Sequence, residues 1–86
     1  MTRQDRITSL LQSALSPSFI AVRDVSHQHH GHAGWREGGE THFEVDIASA
    51  LFDGQTRVAA HRMVNDALAS ELNSGLHALQ IKIIKS

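Results

Sequence analysis

Histidine is the residue type whose number and spacing most suggest chemistry in this chain. Seven of the 86 residues are histidines, and four of them fall within the segment His27–His32. Neutral imidazole binds iron, zinc, copper and nickel, so the cluster indicates a metal site. The chain has no cysteine and can therefore supply neither a thiolate ligand nor a thiol nucleophile. A site for a soft metal or a metal cluster would need further ligands from elsewhere.

The composition is that of an ordinary water-soluble domain. Apolar residues make up 41% of the chain and charged residues 20%, and the net charge of −1 gives no overall positive field for nucleic acid or acidic lipid. No apolar run approaches the roughly 18 residues of a membrane span, and the first ten residues lack the apolar stretch of a secretory signal. We therefore expect one domain over residues 1–86, in the cytoplasm and without a membrane partner.

Hydrophobic periodicity predicts five regular elements. A first amphipathic helix begins at a capping box of Thr2 and Asp5 and ends before Pro17. A second helix is predicted over about residues 56–72, and strands over residues 19–25, 41–49 and 76–84. The apolar face of the first helix is predicted to carry Ile7, Leu10, Leu11, Ala14 and Leu15.

The predicted order is helix, strand, strand, helix, strand, which indicates an α+β domain with both helices on one face of a three-stranded mixed sheet. The first two strands are expected to be antiparallel and the last to run parallel to the second. The other sheet face would then expose His42, Glu44 and Asp46. A parallel crossover would also place His77 near Thr41, where the long glycine-rich and histidine-rich loop of residues 26–40 re-enters the sheet.

The residues alone leave simpler interpretations open. The loop histidines could be solvated, His77 could be a structural histidine bonded to a backbone carbonyl, and His61 could serve packing. Trp35, the only tryptophan, could anchor a partner or fold back over the domain. Only the expected convergence of His77 with the loop favours a metal site over these alternatives.

Several short motifs, in their order and spacing over nearly the whole chain, strongly resemble the BolA family. The family has the same element order, in a fold similar to the class II KH domain. The motifs are Glu40-Thr41-His42-Phe43, Phe52-Asp53-Gly54, Ala60-His61-Arg62-Met63-Val64, Ala69-Ser70-Glu71-Leu72 and Leu76-His77-Ala78-Leu79.

The resemblance implies a non-enzymatic partner of monothiol glutaredoxins, in which a [2Fe–2S] cluster bridges the two proteins and glutathione supplies a further thiolate. Such complexes act in iron homeostasis and in iron–sulfur cluster trafficking. By the same resemblance His77 is one iron ligand and a loop histidine is another, with His32 the first choice and His29 the second. Histidine in place of thiolate resembles the Rieske pattern, which raises the reduction potential.

The alternative function is a DNA-binding transcriptional regulator that uses the KH-like helix face, with Arg57, His61 and Arg62 as its basic edge. The negative net charge speaks against it, and so does the only G-x-x-G match, at residues 31–34, which falls between strands instead of between helices. Storage of a free divalent ion by the loop histidines is a further possibility. An enzyme would need an activated nucleophile or an oriented acid/base pair, and the sequence offers neither.

Overall fold

The computed structural model describes residues 2–25, 42–76 and 78–84. The predicted loop over residues 26–40, with its four histidines and Trp35, lies outside the described residues, and so does His77. No helix in the described ranges has the length and apolar character needed to cross a membrane. The elements are α1 Arg3–Leu15, β1 Phe19–Asp24, β2 His42–Ala48, a 3₁₀ helix Ala50–Phe52, α2 Arg57–Ala67, α3 Ala69–Leu72 and β3 Ala78–Ile83.

Helix α1 begins at the predicted capping box. The Thr2 hydroxyl accepts a hydrogen bond from the Asp5 N–H at 3.1 Å, and the Asp5 carboxylate accepts one from the Thr2 N–H at 3.3 Å. The helix ends at Ser16, whose left-handed backbone (φ 43°) turns the chain before Pro17. Ala14 is exposed, because the buried stripe runs at four-residue steps through Arg3, Ile7, Leu11 and Leu15.

The three strands form one sheet in the order β1-β2-β3. Strands β1 and β2 are antiparallel and strands β2 and β3 are parallel, as the order of the elements predicted. Phe43, Val45 and Ile47 of the central strand are buried beneath the helices, together with Val64 and other apolar side chains of α1 and α2. The α+β class and the helices on one face of a mixed sheet are thereby confirmed.

The predicted second helix is split at Leu68. This residue has φ −105° and ψ 12°, and its N–H is shared among the carbonyls of Val64, Asn65 and Asp66. Helix α3 then restarts for one turn, so that Leu68 and Glu71 are both buried. Periodicity predicted one continuous helix because the buried positions keep helical spacing across the break.

A buried ion pair joins the start of α1 to the end of α3. Arg6 Nε lies 3.1 and 3.2 Å from the two carboxylate oxygens of Glu71, and Arg3 Nη1 lies 3.6 Å from Oε1 of the same group. Arg3 also donates to the backbone carbonyls of Glu71 and Ser74, at 3.1 and 3.2 Å. The guanidinium of Arg3 therefore serves as a C-cap for α3.

The turn after α3 leads the chain into β3. Gly75 has φ 126°, a conformation that a side chain would strain, and the N–H of Leu76 then reaches the carbonyl of Glu71 at 3.1 Å. Leu76 is buried in the core. Leu76, which directly precedes His77 in the chain, is therefore fixed by packing and by a hydrogen bond.

Candidate functional site

The candidate metal centre was predicted where the histidine loop meets the start of the last strand. His42 pairs with Ala78 in the parallel ladder, and these residues directly follow Thr41 and His77 in the chain. Neighbouring strands lie about 4.8 Å apart, so the register draws these two chain segments together at one end of the sheet. Thr41 and His77 themselves lie outside the described residues, so their meeting stays a prediction.

His42 is buried, with 4% of its surface exposed, whereas the alternation of β2 predicted an exposed side chain. It begins the central strand, with Ala78 beside it, and its carbonyl accepts the Val25 N–H at 2.9 Å. Because β2 has neighbours on both sides, its outward residues are more enclosed than alternation alone suggests. His42 also lines a cavity of about 130 Å³ with Val25, Phe43, Glu44, Ala78, Leu79 and Gln80.

The predicted iron ligands His29, His32 and His77 all lie outside the described residues. Within the described ranges, no three histidine, aspartate or glutamate side chains come together as a metal site. A [2Fe–2S] cluster takes four ligands, commonly cysteine thiolates, and imidazole replaces two of them in Rieske centres. The donor chemistry of a chain rich in histidine and without cysteine fits the imidazole half of such a set, and the thiolates must come from outside.

The residues of the predicted nucleic-acid edge are only partly brought together. Arg57 and His61 line a groove of about 410 Å³ between α2 and β3, whose other lining residues are Gln80, Ile81, Lys82 and Ile83. Arg62 is exposed on the same helix and does not line this groove. Sequence reasoning missed Lys82 as a member of this group, although its outward position on the alternating last strand was the available signal.

The open face of the sheet has an ion-pair network centred on Arg23. The guanidinium holds both carboxylate oxygens of Asp46, at 3.2 and 3.3 Å, and Oε1 of Glu44 at 3.3 Å. The hydrogen bonds to Asp46, and then those to Glu44, raise the pKa of Arg23 above its ordinary value. One guanidinium therefore pairs with both acids that β2 presents on this face and offsets one of their two negative charges. Sequence reasoning had identified the acids but not their partner.

The described elements define a small α+β domain in which two helices cover one face of a three-stranded mixed sheet. Residues 11–86 match the family model described as BolA-like protein. The chain is 46% identical over 84 residues to the SufE-like protein 1, chloroplastic/mitochondrial, of Arabidopsis thaliana, covering 93% of this chain and 23% of that protein. It is 47% identical over 81 residues to the protein BOLA1, chloroplastic, of the same plant, covering 92% of this chain and 51% of that protein.

A bacterial relative and a solved structure extend the likeness. The DNA-binding transcriptional regulator BolA of Escherichia coli strain K12 is 37% identical over 81 residues, covering 94% of this chain and 73% of that protein. The BolA domain of SufE1 from Arabidopsis thaliana superposes with a TM-score of 0.87 at 44% identity, covering 99% of this chain and 93% of that domain. The chain belongs to the BolA family. It spans about a quarter and about half of the two plant proteins it matches.

Proposed function

We propose that this chain is a non-enzymatic partner of a monothiol glutaredoxin and that it contributes histidine ligands to a [2Fe–2S] cluster shared between the two proteins. The cluster would supply iron for trafficking or regulation, with glutathione providing a further thiolate. The observation that most supports this role is the parallel pairing of His42 with Ala78. That pairing draws the end of the histidine-rich segment and the segment around residue 77 to one end of the sheet.

The described residues would act by holding the ligand segments in place. Leu76 is buried in the core and bonded to Glu71, while Ala78 is paired with β2, so the chain on both sides of His77 is fixed. A ligand on a segment held at both ends loses less conformational freedom when it binds metal. Since the chain has no cysteine, the thiolates in this proposal come from the glutaredoxin and from glutathione.

Reconstitution tests this proposal directly. The chain is mixed with a monothiol glutaredoxin, ferrous iron, sulfide and glutathione, and the visible absorption, the circular dichroism and the molecular mass are recorded. We expect a heterodimer with one [2Fe–2S] cluster and a spectrum that differs from that of the same mixture without this chain, because imidazole has replaced thiolate. Identical spectra with and without the chain, and no species of heterodimer mass, would refute the proposal.

DNA binding is the second candidate function. The named activity of the Escherichia coli relative favours it, and Arg57 and Arg62 are exposed cations of one helix. We expect any duplex binding to weaken with salt, and each lost phosphate contact in Arg57→Gln or Arg62→Gln to reduce the salt slope by about one. Filter binding or anisotropy over a salt series measures this. Binding that is unaffected by both substitutions would exclude this surface.

A further inference from the structure

The two outer edges of the sheet differ in how they are covered. Within residues 2–25, 42–76 and 78–84, the order β1-β2-β3 leaves one edge of β1 and one edge of β3 without a neighbouring strand. On β1, the side-chain amide of Gln4 donates to the carbonyl of Val22 at 3.0 Å and so occupies part of the edge. On β3, no side chain within the described ranges hydrogen-bonds to the strand backbone. As far as the described residues extend, strand β3 therefore has an open edge, which can template pairing with another strand.

The direction of the free backbone groups follows from one hydrogen bond. Ile84 donates its N–H to Ile47 of β2 at 2.9 Å. Backbone groups alternate in direction along a strand, so the N–H and C=O of Ile83, Ile81 and Leu79 are directed away from β2. Ile81 and Ile83 also line the groove beside α2. An added strand would thus lie along this groove.

The charge of the groove is positive even though the chain as a whole has a net charge of −1. Arg57 and Lys82 line it together with His61, and no acidic residue does. Asp46 lies opposite Lys82 in the ladder, but Arg23 holds both of its carboxylate oxygens. Neither Arg57 nor Lys82 has an ion-pair partner in the part of the chain that the structure describes.

We infer that the groove between α2 and β3 binds an extended acidic segment of a partner protein, which adds to the sheet as a fourth strand. The β3 backbone would supply ladder hydrogen bonds, and acidic side chains would face Arg57 on the helix side and Lys82 on the open side of the sheet. Strand β3 has six residues, so the bound segment would be about 20 Å long. This inference is independent of the proposed iron site, because none of the groove residues is a candidate iron ligand.

The groove favours a peptide over a nucleic acid for two reasons. An open strand edge offers alternating donors and acceptors, which match another peptide backbone. The cations in the groove are few, whereas nucleic-acid affinity depends on many neutralised phosphates, and Arg62 lies outside the groove. A bound peptide should therefore be weakened by Arg57→Gln but not by Arg62→Gln, whereas a bound nucleic acid should be weakened by both substitutions.

The test uses a fluorescent eight-residue peptide in which Glu-Glu pairs alternate with Val-Val pairs, so that both faces of the bound strand carry glutamate, with binding measured by anisotropy on the full chain. We expect Arg57→Gln and Lys82→Gln each to weaken binding about two- to five-fold, as for partly exposed ion pairs. Arg62→Gln is the matched control, an exposed arginine of the same helix outside the groove, and should leave the affinity unchanged. Melting temperatures of all three variants should match that of the parent chain.

Backbone pairing is tested separately. A peptide N-methylated at every amide has no backbone N–H to donate from either of its edges and should bind at least about tenfold more weakly. Amide exchange at Leu79, Ile81 and Ile83 should slow when the unmodified peptide binds. Equal binding of the N-methylated peptide, no saturable binding below about 1 mM, or equal weakening by Arg62→Gln and Arg57→Gln would each overturn the inference. Tighter binding of a single-stranded oligothymidylate of the same charge would assign the groove to nucleic acid instead.

Discussion

Glu71→Ala should lower the free energy of unfolding by about 3 kcal/mol, because removal of one partner of a buried ion pair leaves the other charge uncompensated. The side chains of Glu71 and Arg3 are 8% and 6% exposed, so Arg3 cannot regain water when the carboxylate is lost. Arg6 is 40% exposed and can turn to solvent, which places the effect at the lower end of the range for buried pairs. Arg3 keeps its bonds to the Glu71 and Ser74 carbonyls.

Thermal and urea denaturation measure this effect. For a domain of this size, about 3 kcal/mol corresponds to a fall in melting temperature of roughly 12–24 °C. Asp66→Ala is the matched control, since it removes an exposed acid from the neighbouring helix and should change stability by less than about 0.5 kcal/mol. A melting temperature for Glu71→Ala within a few degrees of the parent would mean that Glu71 contributes no more than a surface charge.

His77→Ala is expected to abolish or strongly alter the cluster of the reconstituted heterodimer while leaving the fold intact. Loss of an outer hydrogen-bonding partner of a metal ligand typically costs 10–100-fold in affinity or activity, so loss of a ligand itself should reduce cluster occupancy by at least about tenfold. Visible circular dichroism and bound iron per heterodimer report occupancy, and far-ultraviolet circular dichroism reports the fold. His77→Cys should instead retain the cluster with a lower reduction potential, because thiolate replaces imidazole.

The loop ligand is assigned by the same measurement. We expect His32→Ala to alter the spectrum and His29→Ala to change it less. His61→Ala is the control, because His61 lies in the groove beside α2 on the described part of the chain. If the His77, His32 and His29 variants all keep the parent spectrum, these histidines are not the ligands, and a heterodimer with a cluster could still form through other groups.

Periodicity predicted the elements, because β2 alternates and α1 repeats its buried positions every four residues, and the order of the elements then predicted the strand directions. It could not predict that His42 is buried, since alternation assigns a side chain to a sheet face but does not show how enclosed that face is. Periodicity could not predict the break in the helix at Leu68 either, because the buried residues Ala60, Val64 and Leu68 continue at helical spacing.

The buried charges could have been found from the sequence. Arg3 precedes Ile7 by four residues and Glu71 follows Leu68 by three, so each charge extends a stripe of buried apolar side chains. Opposite charges at the ends of two such stripes indicate a pair across the core. The outward position of Lys82 could be predicted from the alternation of the last strand, but its place beside Arg57 required the tertiary fold.

The parallel ladder has a consequence for the time at which the proposed cluster site can first form. Its first described pair joins residues 42 and 78, and the Arg3–Glu71 contact spans 68 positions. Contacts between such distant residues form only after the intervening chain is available. On the ribosome, the histidine segment therefore emerges well before the strand that is to face it. Under the proposed function, a nascent chain would have its histidine segment without the finished end of the sheet, and cluster binding would therefore wait for completion of folding.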